Sequence, residues 1–326
     1  MSAEGGTRAV VAALLANIGI ALTKFVAFLL TGASSMLAEA IHSVADSGNQ
    51  GLLLLGGRKA EKGATPEHPF GYGRERYIYS FLVAIVLFTV GGLFALYEAY
   101  HKFHEVHAAH GHPEDSLLDS RWWWVPLVVL GASIVMEGLS FRTAITETSK
   151  IKGDASFVQF IRRAKQPELP VILLEDFAAL IGLGFALVGV GVSLLTGSLY
   201  WDVAGTALIG LLLVAVAIVL GIETKSLLLG EAAARPAQLR IREALERADG
   251  IEGVIHMRTM HLGPEELLVA VKVRVPAGAS GAEVADAIDR AEAAVREAEP
   301  IARVIYVEPG VRPEESALHA EESGAR

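Results

Sequence analysis

Residues 77–100 read Tyr77-Ile-Tyr-Ser-Phe-Leu-Val-Ala-Ile-Val-Leu-Phe-Thr-Val-Gly-Gly-Leu-Phe-Ala-Leu-Tyr-Glu-Ala-Tyr100, with no charged side chain before Glu98. A bilayer core about 30 Å thick is crossed by roughly 20 helical residues, so this run predicts a spanning helix. Working outward, further apolar runs fall at about 8–30, 35–57, 122–142, 170–195 and 201–222. Trp122, Trp123 and Trp124 beside Arg121 form an interfacial aromatic anchor for the fourth run. Thr196 to Tyr200 joins the last two as a tight hairpin. The chain has 326 residues, 52% of them hydrophobic, and a positive mean hydropathy. A soluble chain needs a more charged surface than that. The expected fold class is an α-helical membrane protein with six transmembrane helices.

The formal net charge of −9 is unevenly spread. Acidic residues gather after Gly230, and the short membrane loops are basic. Arg58, Lys59, Lys62, Arg74 and Arg76 follow the second span, and Lys150, Lys152, Arg162, Arg163 and Lys165 follow the fourth. The loop after the third span has only Lys102 and Arg121. The excess of Lys and Arg marks the cytoplasmic side. Both termini are therefore expected in the cytoplasm, with the protein multi-pass in an inner (plasma) membrane and membrane lipid around it. The apolar run after Arg8 has no cleavage site leading to a polar mature chain, so it is read as a retained helix. No basic stripe with interleaved aromatics exists, and nucleic acid is not expected as a partner. Cysteine is absent, which excludes disulfides and thiolate metal sites. Phe157, Phe160 and Ile161 beside Arg162 and Arg163 suit a short amphipathic helix on the membrane surface or an ordinary basic loop.

From about Glu231 the composition becomes that of a small soluble domain. Leu239 to Ala248 reads as a helix and Ile251 to Leu262 as a strand, with a turn at Gly263-Pro264. Leu267, Val269, Val271, Val273 and Val275 alternate with more polar residues, a strand period. Val284, Ile288 and Val295 mark a helix face, and Val304 to Val307 a last strand. The order α-β-β-α-β predicts a C-terminal α+β ferredoxin-like layer. The expected domains are a six-helix transport domain at 1–230, a cytoplasmic ferredoxin-like dimerisation domain at 231–310 and a disordered tail at 311–326.

Charges inside spans are the informative residues, since each costs about 2.5–3.5 kcal/mol on insertion scales. The second span holds His42-Ser-Val-Ala-Asp46. Residues four apart on a helix differ by about 40° in direction and about 6 Å in height, so His42 and Asp46 face one way at mid-membrane. An imidazole and a carboxylate at one point make half of a tetrahedral zinc site. A hydrogen-bonded pair closing a helix interface is the structural alternative. The fifth span holds Glu175 and Asp176, about 100° apart on a helix, so only one points squarely at the second span.

These residues resemble the cation diffusion facilitator family, which includes the mammalian zinc transporters. The likeness runs from Asn17 to about Glu308. It rests on His42-Ser-Val-Ala-Asp46, on His68-Pro-Phe-Gly-Tyr-Gly-Arg-Glu75 and on six spans followed by a ferredoxin-like domain. Val171-Ile-Leu-Leu-Glu-Asp-Phe-Ala-Ala-Leu-Ile-Gly182 looks most like the branch of the ninth mammalian zinc transporter. The resemblance implies a homodimer that exchanges cytoplasmic metal for protons, a transporter and not an enzyme, with no cofactor beyond the transported ion. It implies a metal site at His42, Asp46 and Asp176. Ile172 stands where the usual fourth ligand would be, with Glu175 the first replacement, Asn17 the second and water also possible. Metal and protons compete for the same groups, and His42, with a reference pKa of about 6.5, is the group expected to change charge near neutrality.

The family often has a second metal site after the second span, but Thr65 and Tyr72 occupy ligand places there, so His68 is read as structural. In the soluble domain Ile255, Val271 and Tyr306 replace His ligands, leaving Glu308; no metal is expected there and dimerisation remains its task. His256 and His261 are expected on opposite faces of a strand. His101, His104, His107 and His110 share one drifting helix face on the outer side, with His112 after them and Glu98 and Glu105 among them. Weak metal release and a solvated loop are both open for them. Lys24 and Glu39 lie at similar depth and suit a structural ion pair, with a secondary metal role open for Glu39. Glu137 suits a pair with Arg142 or a place on the entry path. The transported ion is Zn2+ by family resemblance, with Co2+, Fe2+ or Mn2+ as alternatives. An intramembrane metallohydrolase and a metal-responsive scaffold are the readings from other classes.

Overall fold

Long helices are what bilayer-length apolar sequence can form, because a chain in lipid must satisfy its backbone internally. The computed structural model describes residues 3–108 and 121–311. The chain divides into two compact units, Met1–Lys59 with Arg76–Lys225, and Ala60–Glu75 with Ser226–Arg326.

The first unit holds α1 (Ala3–Thr31), α2 (Ser34–Ala60) and α3 (Glu75–Val86), which continues through a π-helical Leu87–Leu93 into α4 (Phe94–Ala108). It also holds α5 (Val125–Ile151), the short α6 (Phe157–Arg163), α7 (Glu168–Thr196) and α8 (Tyr200–Leu229). Four stretches are long and apolar enough to cross a membrane: Glu75–Ala108, Val125–Ile151, Glu168–Thr196 and Tyr200–Leu229. The first helix offers a shorter apolar stretch, Asn17–Thr31. The second has the length, but Glu39, His42, Asp46 and Asn49 interrupt its apolar face. Its polar side chains turn inward, and Glu39 and Asn49 are fully buried. Meanwhile Leu22, Leu29, Val128, Val188, Leu211 and Ile222 stay exposed on the outer faces. Apolar side chains on the outer faces, with the charged ones turned into an otherwise apolar interior, suit lipid as solvent.

Local chemistry sets the helix ends. Gly197 ends α7 in the left-handed region at φ 68° and its amide donates to Ser193 O at 2.9 Å, the helix stop that glycine favours. That turn lets Tyr200 open α8 at once. The π-helical turn holds Gly91-Gly92, where a Cβ on Gly92 would stand 2.7 Å from Val214 Cγ2 of α8; only a missing side chain allows the helices so close. The start of α2 is held from α8. The Asp202 carboxylate accepts from the Ser34 amide at 2.9 Å, from Ser34 Oγ at 3.0 Å and from Ser35 Oγ. A carboxylate at a helix N-terminus satisfies orphan amides and complements the macrodipole, and here it fixes the depth of α2. The amphipathic stretch after α5 is helical as α6, opened by a capping box between Ser156 and Gln159. Arg162 stands 3.9 Å from Glu223.

The second unit contains α9 (Arg235–Arg247), β1 (Gly253–Gly263), β2 (Glu266–Arg274), α10 (Gly281–Ala298) and β3 (Val304–Gly310). The sheet order is β1-β2-β3, with β1 antiparallel and β3 parallel to the central strand. A tight turn suffices for the antiparallel pair, whereas the parallel pair needs a crossover, which α10 provides. The alternation read in β2 holds: Leu267, Val269, Val271 and Val273 are buried. They pack with Ile241 and Leu245 of α9 and with Ala287, Ala291 and Val295 of α10. Ser280 caps α10 in a box with Glu283, whose carboxyl is held below the usual range by hydrogen bonds from the Ser280 amide and hydroxyl. The connection 60–75 belongs to this unit, tied by Arg74 donating to Met260 Sδ at 3.3 Å. Residues 312–326, most of the expected tail, lie outside the described residues.

Candidate metal centre

A carboxylate in a span is retained only where something repays its dehydration, so the positions of the intramembrane acids define the site. A cavity of about 30 Å³ opens inside the membrane unit. From α2 it is lined by Ser43, Asp46 and Gln50, and from α1 by Asn17 and Ile20. The fifth helix adds Glu137 and Ser140, and α7 adds Ile172, Glu175 and Asp176. Four acids thus face one small space, and no lysine or arginine lines it.

His42 is not in the cavity wall. It is buried behind Asp46, with Nε2 3.5 Å from Asp46 Oδ2, the pairing expected from residues four apart. Neither of its ring nitrogens has a hydrogen-bond partner, nor does Asp46 Oδ1. Unsatisfied buried groups of this kind are uncommon and ask for a reason. The two adjacent acids of α7 diverge as a helix demands. Glu175 Oε1 accepts from Asn49 Nδ2 at 2.6 Å, on α2. Asp176 Oδ2 accepts from Ser140 Oγ at 2.9 Å, on α5. The cavity therefore gathers Asp46, Glu175, Asp176 and Asn17, and reaches His42 only through Asp46. Among the described residues, no group of three His, Asp or Glu side chains is close enough to share one metal ion. In this conformation the acids of α7 are held by neighbouring amide and hydroxyl groups.

Behind the site sits the buried pair of Lys24 and Glu39. Lys24 Nζ donates to Glu39 Oε2 at 3.0 Å and to Ser43 Oγ at 2.8 Å. The structural pairing read from their equal depth is present. Glu39 Oε1 has no partner, and α7 comes close enough that a Cβ on Gly182 would lie 3.1 Å from it. Glu137 makes no pair with Arg142 and stands in the cavity wall instead. Sequence reasoning also missed Asn49, Gln50, Ser140 and Asp202. Asn49 follows His42 by seven and Asp46 by three, a same-face spacing that was legible. Ser140 follows Glu137 by three in the same way. Asp202, an acid in a first turn, carried the ordinary signature of a helix start.

Other histidines have local partners. His68 packs edge-on against Tyr72 at 4.6 Å between centroids, within a turn closed by Thr65. On α4, His104 packs edge-on against Tyr100 and Phe103, and His107 stacks on Phe103. His110 and His112 lie outside the described residues. In the soluble unit His256 pairs with Lys272 across the ladder and His261 with Leu267. Glu308 meets Lys272 at 3.3 Å.

Residues 10–229 match the profile of the cation efflux transmembrane domain. The chain belongs to the cation efflux family. Residues 236–310 match the cation efflux protein, cytoplasmic domain. This cation efflux protein is thus a multi-pass membrane protein of a transporter family, not of an enzyme family, and the resemblance read from residues 42–46, 68–75 and 171–182 is upheld. It is similar to the human proton-coupled zinc antiporter SLC30A9, mitochondrial, with 32% identity over 263 residues, 80% of this chain and 44% of that protein. It is also similar to metal tolerance protein C4 of Arabidopsis thaliana, with 27% identity over 259 residues, 79% of this chain and 54% of that one. A solved structure, MamM-CTD 215-293, is 26% identical, covers 24% of this chain and 96% of its own, and has a TM-score of 0.23. The chain spans less than half the length of the zinc antiporters it matches.

Proposed function

We propose that this cation efflux protein exports a divalent metal ion, Zn2+ foremost, from the cytoplasm in exchange for protons. The observation that carries the reading is the intramembrane cavity. Acids from α2, α5 and α7 line it with no Lys or Arg in the wall itself, beside a buried His42 with both nitrogens free of hydrogen bonds. An ion entering there would neutralise the carboxylates and give the imidazole a partner. His42, Asp46 and Asp176 form the core of the proposed site, with Glu175 or Asn17 completing it. For those to converge, Glu175 must leave Asn49 and Asp176 must leave Ser140, which makes binding a conformational event. Metal and protons then compete for the same atoms, and alternating access follows from rocking of helices about a fixed site. Similarity to proteins named as proton-coupled zinc antiporters supports both the ion and the coupling.

In this reading α1 and α2 complete a six-span domain, whose polar second helix is shielded by its neighbours. Both termini face the cytoplasm of a cell whose inner membrane holds the protein. The three-stranded unit is a ferredoxin-like layer that joins two copies as a homodimer. Transport of Co2+, Fe2+ or Mn2+ is the second reading, favoured by the preponderance of carboxylate over imidazole. A scaffold that binds metal without moving it is a further alternative.

The test is metal uptake by the purified full chain in proteoliposomes, with and without an imposed pH gradient. Zn2+ flux should follow the gradient and vanish in Asp46→Ala, with competition by the other ions ranking selectivity. Flux indifferent to pH removes the proton coupling. Undiminished flux in Asp46→Ala removes the site, and binding without flux favours the scaffold.

A further inference from the structure

The place of the absent fourth ligand is lined by Ile172, which cannot bind a metal. The same cavity wall holds an acid from a third helix. Glu137 and Ser140 are three apart on α5 and share a face. Ser140 donates to Asp176, which aims that face at the acids of α7. Of the four acids lining the cavity, Asp46 pairs with His42, Glu175 with Asn49 and Asp176 with Ser140. Glu137 forms no hydrogen bond or ion pair among the described residues, although it sits mid-way along an apolar helix. A spanning carboxylate left unpaired at a cavity wall has no structural task that a leucine would not do at lower cost. His42, fully buried and in ion-pair range of the wall residue Asp46, has no hydrogen bond at either ring nitrogen, which independently points to a cation beside this wall.

We propose that Glu137 of α5 is a ligand of the transported cation and a determinant of its selectivity, taking over the coordination that Ile172 cannot supply. This rests on the reading of the cavity as the metal site. The space of about 30 Å³ admits an ion with about one water. Oxygen from Glu137 beside two aspartates weights the site toward harder divalent ions than a histidine-rich set would. The site so built spans α2, α5 and α7, so the fourth span takes part in binding along with the second and fifth.

The experiment measures Zn2+ and Mn2+ affinity of the detergent-purified full chain for wild type, Glu137→Gln, Glu137→Asp and His42→Ala. Glu137→Gln should weaken Zn2+ binding at least about tenfold and Mn2+ binding more, raising the preference for Zn2+, while Glu137→Asp restores part of the loss. Independently of any variant, saturating Zn2+ should protect the Glu137 carboxyl from carbodiimide labelling, read by mass spectrometry. If His42→Ala abolishes binding but Glu137→Gln leaves both affinities unchanged and labelling is unprotected, Glu137 is no ligand and the inference falls alone. If His42→Ala leaves Zn2+ binding intact, the reading of the site itself falls.

Discussion

The two units of this chain handle polar groups in opposite ways. In the membrane unit Lys24, Glu39, His42, Glu175 and Asp202 are all buried, and every orphaned buried side-chain atom among the described residues lies there: on Glu39, His42, Asp46, Asn49 and Thr148. In the C-terminal unit the core is largely aliphatic, with His261 and the Arg240-paired Glu299 also buried, and ion pairs such as Arg247 with Glu243 and Arg296 with Glu292 sit at the surface. One unit keeps unsatisfied polarity where dehydration costs most; the other follows the ordinary economy of a soluble domain. The difference teaches where selection acts on something besides stability. Asp46, which carries one orphaned atom, lines the cavity and His42 stands against it, whereas among the described residues no orphaned side-chain atom falls in the C-terminal unit.

That contrast can be broken most directly at His42. His42→Ala should abolish metal transport in proteoliposomes while membrane insertion stays intact and any loss of stability stays within the about 2–5 kcal/mol of a buried truncation. A variant that transports normally, or one that unfolds, would show the orphaned imidazole to be structural. Next in size is the buried ion pair. Lys24→Met leaves Glu39 buried without its ion-pair partner, and should cost about 3–5 kcal/mol in unfolding free energy. Adding Glu39→Gln should recover most of it, and failure of the double variant to recover would mean the pair is not the unit of stability. In the soluble unit Ile241→Ala should cost about 2–4 kcal/mol by cavity formation, read by hydrogen exchange in α9, with Zn2+ affinity of the full chain unchanged. A shift in affinity would show that the contrast between the units is not one of function. The smallest effect is at the α10 cap. The folded carboxyl of Glu283 is lowered, so its contribution is present above the ordinary carboxylate pKa and is lost as pH falls through the folded value. Ser280→Ala should raise the Glu283 titration toward the ordinary value by NMR, and an unmoved titration would remove Ser280 as its cause.

Composition made much of this legible. Each apolar run of spanning length lies in a helix, including the polar second one, because His42 and Asp46 were read as inward-facing groups and not as breaks. The order of the C-terminal elements was equally plain, since a period of two over 267–275 admits little else. The cavity was legible in part. Asp46, Glu175, Asp176 and Asn17 were all nameable from one helix at a time. Glu137 was seen as an intramembrane acid but assigned to Arg142 or the entry path, since its true neighbours lie on other helices. Nothing in the local sequence foretold that Asn49 would hold Glu175 or that Asp202 would hold the start of α2, 168 residues away.

By itself, then, the sequence determined which segments are helices, which solvent they meet and which side chains are too costly to bury idly. Those are sums over local residues: hydropathy, period and charge. Only the tertiary structure decided which acids share one space, which are tied to Asn49 and Ser140, and that His42 stands behind Asp46 and not in the wall. Such choices depend on the rotation of each helix about its axis and its height against its neighbours. Packing sets both through close approaches such as Gly92 on Val214, and no single helix encodes them.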